Sequence, residues 1–146
     1  MKLLISLPVY KRNWILPYWF AAIENQDFDL SEIGFSFQVA SIEEDPKTHS
    51  TLLEWFSSHP QVQCFVLNNI ESIPHNHHEN GKRVWDVSAY KKMSLMRNAL
   101  LETAVSLDPD YMFSLDSDIL LRDPQTLNKL IELAQPRCAV APLMYM

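Results

Sequence analysis

Two carboxylates one residue apart, Asp116 and Asp118, end the run Tyr-Met-Phe-Ser-Leu-Asp-Ser-Asp that begins at Tyr111. On an extended chain residues i and i+2 point to the same side, so the pair can converge on one point. Carboxylates that close repel unless positive charge stands between them. A divalent cation supplies it: Mg²⁺ or Mn²⁺ prefers oxygen ligands and takes one or two carboxylates together with the oxygens of a diphosphate. The plainer reading is a solvated turn after a strand, since Asp and Ser are frequent turn residues. The apolar run ahead of Asp116 and the scarcity of glycine favour the metal–diphosphate site. Only Gly34 and Gly81 occur in 146 residues. Neither a Walker loop nor a dinucleotide fingerprint can be built from them, so phosphate would have to be met by a metal or by cationic side chains.

A phosphatase of the haloacid dehalogenase type also places Asp-x-Asp after an apolar strand. Its pair stands on the first strand with Thr or Val two residues on; here the pair follows the fourth strand and Leu120 takes that place. Among cations, Arg97 in Met-Arg-Asn-Ala-Leu can serve as a bidentate partner for the carboxylates or the diphosphate, or as a surface cation. It reaches the ligand rim only if its helix N-terminus faces that way, an orientation that parallel packing is expected to disfavour. Lys91 and Lys92 read as solvated charge. Glu43, Glu44 and Asp45 follow the second strand. Asp45 is expected to cap a helix, while Glu43 and Glu44 stay open as acceptors for a base N–H or a ribose hydroxyl. His75, His77 and His78 lack the further ligands that zinc sites place at defined spacing, so a polar loop is the better reading. Trp85 and Tyr90 can stack on a base or sugar, or anchor that loop.

Alternating short apolar runs and helical stretches must position these groups. Strands are expected at Lys2–Leu7, stopped by Pro8, and at Phe35–Ala40, Val62–Leu67, Tyr111–Leu115 and Cys138–Ala141. A helix over Trp14–Gln26 has Trp14, Tyr18, Ala21, Ala22 and Asn25 in periodic register, with Asn13 as cap. A second helix opens at Asp45-Pro46 with an apolar face of Leu52, Leu53 and Phe56. Asn68–Ser88 has no period and reads as a long loop. Ser88–Ser106 repeats Met93, Met96, Leu100, Ala104 and Leu107 at helical spacing, and Pro124–Ala134 is a short helix. This order implies a mostly parallel α/β sheet flanked by helices, with ligands beyond the carboxyl ends of the strands.

The composition, 47% hydrophobic and 21% charged, is that of one globular domain over residues 1–146. A net charge of −6 argues against nucleic acid and anionic membranes as partners. The apolar run Leu3–Leu7 is too short for a signal peptide or a transmembrane span, so a cytoplasmic location is expected unless an upstream targeting segment is missing. Cys64 and Cys138 lie in apolar runs and are expected as buried free thiols.

In order along the chain, Leu-Pro-Val-Tyr after the first strand, an acidic stretch after the second and Asp-x-Asp after the fourth resemble the GT-A glycosyltransferases, and most closely their collagen galactosyltransferase group. Leu16-Pro17-Tyr18, Val39-Ala40-Ser41, Leu53-Glu54-Trp55, Val84-Trp85-Asp86, Tyr90 with Arg97, Asp123-Pro124-Gln125-Thr126-Leu127 and Val140-Ala141-Pro142-Leu143-Met144 continue the series. The resemblance implies a GT-A, Rossmann-like nucleotide-sugar-binding architecture. It further implies that Asp116 and Asp118, with Ser117 between them, hold Mn²⁺ or Mg²⁺ on the diphosphate of a nucleoside-diphosphate sugar, with a UDP-sugar the first candidate. Leu7, Pro8 and Tyr10 would line the nucleoside pocket, an acidic residue of Glu43–Asp45 would reach the base or ribose, and Arg97 would stand near the diphosphate. The usual Asp after the second strand is replaced by Ile42. The matched part is the donor half; no residue is a candidate for the catalytic base. The implied function is metal-dependent hexose transfer to an unassigned acceptor. The alternatives are a non-catalytic nucleotide-sugar-binding module of the same fold and a nucleotidyltransferase, which would need a glycine-rich loop that Pro8–Asn13 does not supply.

Overall fold

A computed structural model describes residues 1–69, 77–79, 82–84, 87–136 and 138–141. Strands β1 (Leu3–Val9), β2 (Ile33–Val39), β3 (Cys64–Asn69) and β6 (Tyr111–Ser114) form a parallel sheet in the order β3-β2-β1-β6. Strands β4 (His77–Glu79) and β5 (Lys82–Val84) form a separate antiparallel hairpin. The helices are α1 (Leu16–Glu24), α2 (Pro46–Ser58), α3 (Val87–Leu107) and α4 (Thr126–Leu133). No helix among the described residues is long and apolar enough to cross a membrane.

The two central strands read as nearly unbroken apolar runs because both of their faces are covered. Odd-numbered residues of β1 and β2 share one face: Leu3, Ile5, Leu7 and Val9 beside Ile33, Phe35, Phe37 and Val39. They pack with Leu16, Trp19, Phe20 and Ile23 of α1 and Leu52 of α2 in one core cluster. Phe20 stacks on Trp55 at 4.0 Å between centroids, and Trp19 meets Phe35 edge-on at 6.2 Å. Such aromatic pairs add about 0.5–1.5 kcal/mol beyond the area they bury.

The opposite face is covered by α3, which packs on β1 and β2 and buries Met96, Leu100 and Ala104. Its sheet side is more polar. Leu4 is apolar, but Ser6, Ser36 and Gln38 are fully buried there, and Ser6 Oγ, Ser36 Oγ and Gln38 Nε2 find no hydrogen-bond partner among the described residues. At the edge of this layer Asn68 Nδ2 donates to Thr103 Oγ1 at 3.0 Å. Gly34 lies on the same face, and a Cβ there would overlap Met1 Sδ and Cys64 Sγ, so close approach rather than backbone freedom requires glycine.

Several expectations are corrected. Strand β1 does not stop at Pro8 but continues to Val9. The carbonyls of Lys2 and Ser6 accept from Tyr111 and Leu115, so even-numbered residues of β1 turn their backbone polar groups toward β6. That pairing ends at Ser6, and the N–H that Pro8 lacks would face no strand. Helix α1 starts at Leu16 rather than Trp14, with Pro17 in its first turn and Ile15, not Asn13, at the cap. Its buried stripe is Leu16, Trp19, Phe20 and Ile23, whereas Trp14 and Tyr18 are exposed. Two stripes of the segment carry aromatics, and the one with Leu16 and Ile23 adds aliphatic bulk against the sheet. The loop expected at Asn68–Ser88 contains the β4–β5 hairpin. No strand forms at Cys138–Ala141, where the chain pairs with no neighbour among the described residues. Cys138 is exposed rather than buried, and Cys64 is half-buried.

Ser36→Ala should raise stability by about 1 kcal/mol, because it removes a buried hydroxyl that has no partner. Urea midpoints test this, and a loss of the same size would show that a bound water satisfies the group. Burial pushes the Cys64 thiol pKa up, so at pH 8 a disulfide reagent should modify Cys138 roughly tenfold faster than Cys64. Equal rates in single-cysteine variants would contradict the burial of Cys64.

Candidate functional site

The site is assembled at the carboxyl rim of the sheet from two segments that leave neighbouring strands. After β1 the chain turns sharply at Lys11, whose φ of 52° lies in the left-handed region and costs a non-glycine residue roughly 1 kcal/mol. The first turn of α2 holds it there. Asp45 caps α2 as expected, its Oδ1 accepting from the Thr48 N–H at 3.4 Å. The other oxygen, Oδ2, accepts from the Lys11 N–H at 2.5 Å. The Arg12 N–H donates to Thr48 Oγ1 at 3.3 Å. Asp45 and Thr48 are both buried, so one helix terminus fixes the backbone of the β1–α1 loop. Arg12 then extends to Asp118, with 3.6 Å between Nη2 and Oδ2.

The second segment follows β6. Leu115 is buried and donates its N–H to the Ser6 carbonyl at 3.2 Å. Beyond it Ser117 is buried, while the Asp116 and Asp118 side chains are 49% and 56% exposed. The extended strand ends at Ser114, and the Ile119 N–H donates to the Asp116 carbonyl at 3.1 Å, so the motif stands in a turn directly after the strand rather than on an extended chain, and both carboxylates open to solvent. Arg97 Nη2 donates to Asp116 Oδ1 at 2.6 Å, and its Nη1 donates to Ser114 Oγ at 2.5 Å. Arg97 is thus the charge partner of the motif, not a free surface cation. The expected objection from helix direction does not hold. In a parallel sheet the helices run antiparallel to the strands, which brings the N-terminal half of α3 to the carboxyl rim. Each carboxylate has its own guanidinium, from α3 on one side and the β1–α1 loop on the other.

The remaining candidates separate. Glu43 and Glu44 stand exposed at the rim after β2. Hydrogen bonds from its own backbone N–H and from the Ser41 hydroxyl lower the Glu43 pKa. Ile42, at the position where an Asp is usual, is exposed. Tyr10 lies at the rim, with Lys11 Nζ 5.0 Å from its ring centroid, and a hydrogen bond with Tyr10 is the main cause of a raised Lys11 pKa. Pro8 is partly exposed, but Leu7 is fully buried in the α1–α2 core, so only its backbone stands near the rim. His77 and His78 fall on β4; His75 and Trp85 lie outside the described residues, as do Pro142–Met144 of the terminal motif. Among the described residues no group of three or more His, Cys, Asp or Glu gathers as a metal cage.

Sequence reasoning placed Arg12 only within the rim segment Pro8–Arg12, without a role, and missed Thr48 and Gln26. The only available signal for Arg12 was its place directly after the first strand. Gln26 is buried and ties the chain beyond the motif to the end of α1. Its Nε2 donates to the Asp123 carbonyl at 3.1 Å and its Oε1 accepts from the Leu127 N–H at 3.3 Å. The Asp27 N–H adds a bond to the Pro124 carbonyl at 2.8 Å. The segment carrying Asp116 and Asp118 is therefore pinned at both ends.

Asp45→Ala removes a helix cap and a loop anchor together. It should cost about 2 kcal/mol, the upper end for a cap, whereas Asp45→Asn, which keeps an acceptor oxygen, should cost less. Urea unfolding of both variants tests the double role, and equal losses would disprove it.

The profile of the glycosyltransferase family 25 N-terminal domain matches residues 1–146. Procollagen galactosyltransferase 1-A of Xenopus laevis is 32% identical over 146 residues, covering 97% of this chain and 23% of the relative. Procollagen galactosyltransferase 2 of Mus musculus is 30% identical over 133 residues, covering 88% of this chain and 20% of the relative. The chain thus spans about a fifth to a quarter of the length of these relatives. Among solved structures, the mannosyltransferase PcManGT from Pyrobaculum calidifontis, in complex with GDP-Man and Mn²⁺, aligns with a TM-score of 0.59 at 18% identity, over 92% of this chain and 33% of that one. Staphylococcus aureus TarS 1-349 in complex with UDP-GlcNAc aligns with a TM-score of 0.56 at 17% identity, over 90% and 30%. At such identities the likeness shows the fold, which is the GT-A architecture expected from the sequence. The match along its whole length places this chain in glycosyltransferase family 25, as the N-terminal domain.

Proposed function

We propose that residues 1–146 form one donor-binding domain of a metal-dependent glycosyltransferase that takes a hexose from a nucleoside-diphosphate sugar, with a UDP-sugar the first candidate. The observation that carries this reading is the solvent-open pair Asp116 and Asp118 at the carboxyl rim of β6. Their oxygens suit Mn²⁺ or Mg²⁺, and two carboxylates suffice when a diphosphate supplies the other ligands. A bound cation would act as a Lewis acid on the departing diphosphate. Arg97, held by Ser114 and Asp116, keeps a guanidinium at the edge of that position. Glu43 and Glu44 offer acceptors for a base or ribose, and Pro8 and Tyr10 offer surface for the nucleoside. The complex of PcManGT with GDP-Man and Mn²⁺ and that of TarS with UDP-GlcNAc support a nucleotide sugar and a divalent metal as ligands of such a site.

A second reading is a binding module of the same fold without turnover. It is favoured by one observation: both carboxylates are already neutralised by arginines. Detectable hydrolysis of UDP-hexose by this chain would reject it.

Mn²⁺ with UDP should raise the melting temperature by several degrees, since a ligand at a hundredfold excess over its Kd stabilises by about 2.7 kcal/mol. The double variant Asp116→Asn, Asp118→Asn should lose that rise. An equal rise in the double variant would move the site elsewhere.

A further inference from the structure

We infer that Arg12 is the second cation of the donor site: it latches Asp118, competes there with a divalent cation, and turns to the donor diphosphate once a cation takes the carboxylate. The inference rests on the donor-site reading above and assigns a binding role to a residue outside it.

Three observations support the latch. The first is how Arg12 is mounted. Its loop carries a left-handed Lys11, and the backbone N–H groups of Lys11 and Arg12 are each taken by a buried side chain of α2, Asp45 and Thr48. A solvated surface arginine needs no such support. A loop held against an unfavourable dihedral is overdetermined by its surroundings, the condition under which strain persists at functional segments.

The second is the asymmetry of the two ion pairs. Arg97 grips Asp116 at 2.6 Å and is itself steadied by Ser114. Arg12 meets Asp118 at 3.6 Å, with the carboxylate 56% exposed. Exposed pairs at that separation contribute little to stability. Asp118 is therefore the carboxylate that a cation can take with less opposition, and Arg12 the guanidinium more readily displaced.

The third is charge. Two guanidinium groups and two carboxylates sum to zero. A divalent cation on the carboxylates adds two positive charges, and the displaced guanidinium loses its counter-charge at the same rim. A diphosphate restores the balance, and guanidinium is the side chain best shaped to take its oxygens. Metal alone is then opposed by Arg12, whereas metal with nucleotide is assisted by it. The same residue has opposite effects on the two equilibria.

Arg12→Ala and Arg12→Lys separate these effects without an activity assay. Binding of Mn²⁺ alone is followed by the loss of its free-ion paramagnetic signal, and binding of UDP at saturating Mn²⁺ by calorimetry, with thermal melts as a control for folding. Arg12→Ala should bind Mn²⁺ about threefold or more tighter and UDP about tenfold weaker than the unaltered chain. Arg12→Lys, which keeps the charge but not the planar fork, should fall between them on both readouts. Unchanged Mn²⁺ affinity in Arg12→Ala overturns the latch, and unchanged UDP affinity overturns the turn to the diphosphate. If the unaltered chain binds neither Mn²⁺ nor UDP, the donor-site reading fails and the latch falls with it. If it binds both and the variants match it, the latch alone is wrong.

Discussion

Two carboxylates held side by side at the end of a strand need positive charge close by, and much of this domain serves to deliver it. The charge comes from opposite sides. Arg97 descends from α3 onto Asp116, and Arg12 arrives from the β1–α1 loop onto Asp118. Both require the strand order β3-β2-β1-β6. Because β1 lies directly beside β6, the loop leaving β1 emerges next to the motif leaving β6. Because the helices run against the strands, the N-terminal half of α3 is brought to the same rim, and the Arg97 side chain reaches it from the centre of the helix. The acidic motif and its cations are far apart in the chain and become neighbours only through the sheet.

The two layers around the sheet are built differently. Toward α1 and α2 the contact is aromatic, with Trp19, Phe20, Phe35, Phe37 and Trp55 linked through a chain of ring contacts. Each large apolar side chain buried there stabilises by about 1.5–3 kcal/mol. Toward α3 the sheet offers Ser6, Ser36 and Gln38, whose burial contributes no comparable gain and leaves polar atoms without partners. The anchor of the Arg12 loop belongs to the first layer, since it is the N-terminus of α2, packed on the aromatic core. Arg97 belongs to the second. One guanidinium therefore stands on a firmly packed base and has a slack ion pair, while the other stands on a more polar base and has a tight one.

Asp45 shows how a local signal can have a wider consequence. As a helix cap it follows from Asp-Pro at the start of an apolar-periodic segment, and the structure contains that cap. The second oxygen of the same carboxylate is not predictable from the segment. It holds Lys11, thirty-four residues earlier, and through Lys11 sets where Arg12 can reach.

What the sequence by itself determined was whatever depends on near neighbours: the parallel α/β order from alternating apolar runs and helical periods, the solvent-open Asp-Ser-Asp segment directly after an apolar strand, and the cap at Asp45. It misassigned the buried stripe of α1, because Trp14 and Tyr18 repeat as well as Trp19 and Phe20 do and only the sheet chooses between them. It ended β1 at Pro8, because whether a missing N–H matters depends on how far β6 runs. It placed a strand at Cys138–Ala141, because an apolar run becomes a strand only where another strand is free to pair. Tertiary structure alone decided that Arg97 meets Asp116, that Arg12 meets Asp118 and that Thr48 and Asp45 hold the loop between them. Electrostatic pairing depends on distance in space, and spacing along a chain does not report that distance until the sheet has been assembled.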